Sequence, residues 1–284
     1  MTAEPTIRPA DDLVSAAGAP KRGRRRWKPA RGGAVRSGMA PLRGLLPLVL
    51  ILGIWELVEH GKRSVFFPPP SQWYTATKEL WRGDVLSNAI LASVGTFALS
   101  LIIATAIGTV LGILVGRSRT ADVILEPLLE YLRFLPGVVL VPLAVLIVGY
   151  TESMKLYVVV FGAVWPVLLQ VRLSARRIDP ILLDVRRSLR MSRIAAFRKI
   201  FLPHVVPGIL LGVKIVAPLT LVLVLVVEIS TQVGGLGKLL TTAQQNFQSA
   251  QVYGVVVIVG VIALVINTFV TALESFLLRY RPTL

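Results

Sequence analysis

"DVRRSLRMSRIAAFRKIFLPHVVPG", Asp184 to Gly208, is a basic stretch inside a largely apolar chain. It sets Arg186, Arg187, Arg190, Arg193, Arg198 and Lys199 against a single acid, Asp184, and turns apolar again past Leu202-Pro203. Its apolar residues are ordered. Ile181, Leu182, Val185 and Leu189 recur at helical spacing, with Arg186, Arg187 and Arg190 on other faces. Ser192 is placed to cap a second short helix, whose apolar stripe is Ile194, Phe197 and Phe201. Two short helices with one apolar and one basic face suit two roles. They can lie on lipid headgroups, or they can dock a cytoplasmic partner.

The rest of the chain chooses the solvent. Of its 284 residues 54% are hydrophobic and only 16% charged, with a mean hydropathy of +0.72. Soluble domains carry about 25% charged residues, so a bilayer is the leading solvent. The absence of cysteine excludes a disulfide framework, thiolate metal sites and a Cys nucleophile.

Six runs are candidates for spans of roughly 20 residues. They are Leu42–Val58, Ala89–Gly116, Phe134–Thr151 on a helix starting near Ala121, Leu156–Val171, Val205–Val227 and Val252–Leu273. Ahead of them residues 1–41 are polar and contain "KRGRRRWK" (Lys21–Lys28) without helical or strand periodicity, which predicts a disordered basic arm. No small-residue cleavage site follows the first apolar run, so a cleaved signal peptide is not expected.

The net charge of +16 admits a nucleic-acid binder or a membrane protein with basic loops on one side. The distribution decides. Segments 1–43, 117–121, 172–204 and 279–284 fall on one side of the six spans and hold 23 of the 31 Lys and Arg. Segments 60–87, 152–155 and 230–251 fall on the other and hold 6. The positive-inside rule then places both termini and the 172–204 loop in the cytoplasm, and no nucleic-acid partner is needed to explain the charge.

The loop resembles the coupling motif of ATP-binding-cassette importer permeases. That motif reads Glu-Ala-Ala, three residues, Gly, nine residues, Ile, one residue, Leu-Pro. Here Asp184-Val185-Arg186 is followed at the same spacing by Arg190, Ile200 and Leu202-Pro203. The acid and the Ile-x-Leu-Pro end are kept, whereas both Ala positions and the Gly are replaced. Further stretches extend the resemblance from about Phe67 to Arg281: "FPPPSQ", "EPLLEYLRFLPGVVLVPLAVLIVG", "RRIDPILLD", "LPHVVPGILLGVKI" and "GGLGKLL". They are similar to the branch that imports sulfonates, taurine, nitrate and related small solutes.

The resemblance implies an all-α membrane protein with six transmembrane helices and a coupling helix between the fourth and fifth. Residues 1–41 would be a cytoplasmic arm and 42–284 the permease domain, with the coupling loop at about 176–204. The chain would be a multi-pass subunit in the plasma membrane of a prokaryote. Two ABC ATPase subunits would dock on the 180–203 loop, through Asp184, Val185, Arg186, Arg187, Ser188, Leu189, Arg190, Met191 and Ser192, with Ile200, Leu202 and Pro203 closing the motif. A second permease copy and an extracytoplasmic solute-binding protein would complete the complex. No cofactor is expected on this chain; ATP and Mg would act through the ATPases. At "QVGGLGK" a P-loop would need Gly where Gln232 stands and Ser or Thr where Leu239 stands, so the chain is not expected to be an enzyme. The alternative is a membrane anchor that recruits a cytoplasmic ATPase without transporting.

Arg190 stands where a Gly would allow a turn with positive φ. Arg pays a steric cost there. The turn would then have a different shape, or the arginine would add a charge contact, or coupling would be weakened.

Other residues point to packing or to a solute path. Gly108, Gly112 and Gly116 recur every four residues, the spacing that lets helices approach closely. Glu130 and Arg133, three apart, can pair on one helix, or Arg133 can meet an anionic solute. Pro136 can bend a span at a gate. Glu228, near the outer end of the fifth span, can touch the solute mouth or a docked binding protein, and Lys214 can snorkel to the inner face. His60 and His204 are the only histidines and fall on opposite sides, which leaves no H-x-x-x-H pair for a metal centre, and no G-x-S-x-G turn is present for a Ser-His-Asp hydrolase.

Overall fold

A computed structural model describes residues 40–61, 64–178 and 180–278. All but the last two residues of the expected basic arm at 1–41 lie outside that range. The chain forms two units, 1–48 and 49–284. The described part of the first is the opening of helix α1 (Ala40–Glu59), and the architecture that follows is that of the second.

Among the described residues there are helices and no strands. A short amphipathic helix α2 (Pro70–Arg82) precedes α3 (Val85–Arg117). Next come α4 (Arg119–Phe134), a 3-10 turn and α5 (Val141–Val148), then α6 (Glu152–Arg176). The basic segment holds α7 (Pro180–Ser188) and α8 (Arg193–Ala196), the latter running through a π turn into α9 (Leu202–Thr231). Helices α10 (Gly235–Gln245) and α11 (Ser249–Leu278) follow. Among the described residues, four helical stretches are long and apolar enough to cross a membrane: Val85–Arg117, Glu152–Arg176, Arg193–Thr231 and Ser249–Leu278.

The third expected span differs from the expectation. It is two pieces, Arg119–Phe134 and Gly137–Val148, bent by 82° at the break. Pro136 is the cause. It pushes Leu135 out of the helical region, to φ −71 and ψ 113, and brings no N–H of its own. The second short helix also differs. Arg193–Thr231 is one helical stretch of 39 residues, so α8 is the leading end of that stretch rather than a separate element.

Helices α3, α6 and α9 form the centre. Lipid tails are as apolar as leucine, so close backbone approach and interhelical polar contacts drive helix pairing there. Gly108, Gly112 and Gly116 face α6. A Cβ at these positions would stand 2.9 Å from the Val164 carbonyl, 2.7 Å from that of Leu168 and 2.7 Å from that of Arg172. The approach buries Val167, Leu168 and Val171 completely. In contrast, α11 leaves Leu264, Val265 and Phe269 about two-thirds exposed on the chain alone, as a lipid-facing or partner-facing stripe requires.

Candidate functional site

Helices α3 and α6 run in the same direction and α9 in the opposite one, which gathers two sets of polar groups at opposite ends of the centre. One end holds the C-termini of α3 and α6, the start of α4 and the 180–203 segment. The other holds Ser93, Lys155, Glu228 and α10.

At the first end, α7 stops in a left-handed turn. Arg190 has φ +46°, the backbone region a glycine would favour. The Met191 N–H donates to the Arg186 carbonyl at 3.1 Å, the six-to-one bond that closes a Schellman-type helix end. The turn therefore keeps the shape glycine would give it, and the expectation of a different shape is corrected. Ser192 Oγ accepts the Ala195 N–H at 3.2 Å and so caps α8. The π turn at Phe197–Phe201 ends with the Leu202 N–H reaching back to the Phe197 carbonyl. Pro203 has no N–H for the Lys199 carbonyl and its ring needs room there, and the widened turn supplies that room.

The two aromatic rings of the π turn, Phe197 and Phe201, stack with centroids 5.5 Å apart. Ile181 on α7 and Leu189 just past its end are 67% and 68% exposed, beside Asp184 and Ser188 in a shallow depression. Arg186 is half-buried, and Arg190 and Ser192 are exposed. The side chains of Val185 and Arg187 lie outside the described ones.

Beside this segment four charges tie α4 to α6. Asp122 and Arg172 are both buried. Arg172 donates to Asp122 Oδ1 through Nε and to Glu126 Oε1 through Nη2, the latter at 3.0 Å. Arg176 Nη1 lies 2.8 Å from Asp122 Oδ2. Sequence reasoning missed this network. Its signal is two complementary four-residue spacings, Asp122/Glu126 and Arg172/Arg176, at ends of different spans.

At the opposite end Glu228 is fully buried, contrary to its expected place at an open mouth. Ser93 Oγ donates to its carboxylate at 2.7 Å, and the Gly237 N–H donates to Oε2 at 3.0 Å. Ser93 Oγ in turn accepts the Leu236 N–H at 2.8 Å. Lys155, also fully buried, places Nζ 2.6 Å from Glu152 Oε2 and 3.5 Å from Glu228 Oε1. These contacts are ionic, without the direction of good hydrogen bonds. The glycines of "GGLGK" leave room for the Glu228 and Glu152 side chains. At Gly237 a Cβ would stand 2.5 Å from Glu228 Cβ, and at Gly234 one would stand 2.7 Å from Glu152 Oε1.

The remaining candidates are not brought together. Glu130 and Arg133 are exposed and form no ion pair with each other; the Arg133 guanidinium lies over the Phe134 ring, 4.7 Å from its centroid. Pro136 marks the break between α4 and the 3-10 turn. Lys214 meets Glu274 Oε2 at 2.6 Å, joining α9 to α11.

The described residues form a helical bundle with several membrane-length helices, a bent helix pair and a basic segment at one end of its central helices. Residues 108–279, more than half the chain, match the family model of the binding-protein-dependent transport system inner membrane component, and the chain belongs to that family of ABC transporter permeases. Among curated proteins it is 29% identical to SsuC of Bacillus subtilis (strain 168), a permease protein named for aliphatic sulfonates transport. That match covers 84% of this chain and 88% of SsuC. It is 29% identical to the bicarbonate transport system permease protein CmpB of Synechococcus elongatus, over 88% of this chain and 96% of CmpB. The nitrate import permease protein NrtB of Leptolyngbya laminosa is 26% identical, over 80% and 84%. Two solved structures share the fold with a TM-score of 0.57 each. The MetNI methionine ABC transporter in an inward-facing form is 17% identical, over 66% of this chain and 94% of that one. An amino acid ABC transporter crystallised with histidines is 16% identical, over 72% and 98%.

Proposed function

We propose that this chain is the membrane-spanning half-pathway of an ATP-driven importer for a small anionic solute of the sulfonate, bicarbonate or nitrate kind. The solute class follows the names of its relatives. The observation that carries the coupling role is the 180–203 segment. Its apolar residues Ile181 and Leu189 stand exposed beside the basic Arg186 and Arg190, on a helix end shaped by the left-handed turn. An ATPase groove with acidic walls is the complementary surface.

Two ATPase subunits dock on this segment in two copies of the chain and supply the ATP and Mg chemistry. A solute-binding protein delivers from the other side. Motion imposed on the segment passes directly into the span, because Arg193–Thr231 is one helical stretch. The Lys214–Glu274 pair carries it to α11, and the Glu228 network carries it to α10. The two copies then rock between inward-open and outward-open states as rigid bodies. The six-span topology takes α1 as the first span and the bent pair as the third. It puts both termini in the cytoplasm, on the charge asymmetry already described. Arg133, with Glu130 and Pro136 at the broken span, is the candidate to meet the anion along the path.

The test is reconstitution of the chain with its co-purifying ATPase and binding protein in vesicles. Uptake of a sulfonate, bicarbonate or nitrate with ATP, and none without, supports the reading. ATPase retained on the chain with no uptake of any of them would leave an anchor.

A further inference from the structure

Next to the coupling segment is a cavity of about 830 Å³. Arginines 117, 119, 176, 186 and 193 line it, with Asp122 as its one carboxylate. They come from four elements: the end of α3, the start of α4, the end of α6 and the 180–203 segment. Asp122 is already engaged by Arg172 and Arg176. Among the described residues, Arg117, Arg119, Arg186 and Arg193 are in no ion pair. Arg117 lies over the Phe201 ring at 5.3 Å, which orients its guanidinium without neutralising it. Four uncompensated cations around one cavity repel each other, and a multiply charged anion with several acceptor oxygens relieves that repulsion best.

The remaining wall is apolar, from Ile178, Phe197, Ile200 and Phe201. The space is far larger than a bare phosphate. Arg117 and Arg176 sit in the last turns of two membrane-length helices, the depth at which headgroups lie. A basic pocket between spans at that depth is suited to an acidic lipid headgroup.

We propose that this cavity binds a phosphate-bearing anion, with an acidic phospholipid as its source, and that the phosphate ties the ends of α3 and α4 to the 180–203 segment. Soluble phosphate shares the chemistry and is the competing source. The site does not depend on the transported solute or on ATP.

The test uses the full chain in detergent, with native mass spectrometry reading bound lipid. Phosphatidylglycerol and phosphatidylcholine are titrated separately, then phosphatidylglycerol against inorganic phosphate. The lining variant is Arg119→Gln with Arg193→Gln. The control is Arg198→Gln with Lys199→Gln, which removes the same charge from exposed positions of the same segment outside the cavity. One phosphatidylglycerol per chain is expected, with phosphatidylcholine not retained. The lining variant should weaken it by about tenfold or more for each charge-assisted bond lost, and the control should leave it unchanged. Displacement by millimolar inorganic phosphate would assign the site to the soluble source. Equal losses in the two variants would reduce the effect to general headgroup attraction and overturn the proposal. So would retention unchanged in the lining variant, or loss of a co-purifying ATPase from that variant while lipid and phosphate binding stay as they were.

Discussion

Glu228 and Gly235 claim the same space: a Cβ on Gly235 would fall within the Glu228 carboxylate. Gly235 also has φ +76°. The helix α10 can close over the end of α9 only because this residue has no side chain. Gly235→Ala is expected to cost about 3 kcal/mol, from displaced packing and left-handed strain together. Thermal unfolding of the purified chain measures it, and a loss under about 1 kcal/mol would mean that α10 sits away from Glu228.

The buried pair beneath it should behave cooperatively. Glu228→Gln leaves Lys155 in the interior with Glu152 alone, a loss of about 3 kcal/mol. Lys155→Met added to it should recover part of that loss. A double-mutant cycle with a coupling energy near zero would show that the two groups do not interact.

The glycine ladder separates packing from helix propensity. Gly112→Ala pushes a methyl to within 2.7 Å of the Leu168 carbonyl, whereas Gly95 on the same helix has nothing within 4 Å of a Cβ. Gly112→Ala should destabilise by about 1–3 kcal/mol. Gly95→Ala should be neutral or stabilising by up to about 1 kcal/mol. The same unfolding assay compares them, and equal effects would count against the close α3–α6 approach.

Arg190 holds a conformation that costs an L side chain about 1–2 kcal/mol. Arg190→Gly should therefore raise stability by up to that amount, and Arg190→Val should lower it. If solute-stimulated ATP hydrolysis falls in the glycine variant while stability rises, the guanidinium also touches the ATPase. Level hydrolysis would mean the guanidinium makes no such contact, and level stability would contradict the left-handed strain.

Legibility followed the range of the interaction. The Ser192 cap lies three residues from its partner, and the repeat of Gly108, Gly112 and Gly116 shows in one helix; both could be read locally. Hydropathy showed a span across Ala121–Thr151 but carries no direction, so the 82° break went unseen although Pro136 was noticed. The Ser93–Glu228 and Arg172–Asp122 bonds join residues 135 and 50 apart in sequence, and no periodicity links them. Without that distance information Glu228 read as a surface charge and Arg172 as a span boundary. Arg190 failed for another reason. A composition rule assigns positive φ to glycine, whereas the closing bonds of the helix end hold an arginine there.

The most direct measurement of the central claim uses the absence of cysteine from the chain. Leu189→Cys puts a single thiol on an exposed part of the segment, where the leucine is 68% exposed. A photoactivatable cross-linker on that thiol, activated in native membranes, identifies what the segment touches by mass spectrometry. Docking predicts cross-links to a P-loop ATPase that disappear when the linker is placed on Phe247→Cys at the opposite end. Cross-links from Leu189→Cys to lipid alone, with the ATPase present in the same membranes, would contradict the coupling role.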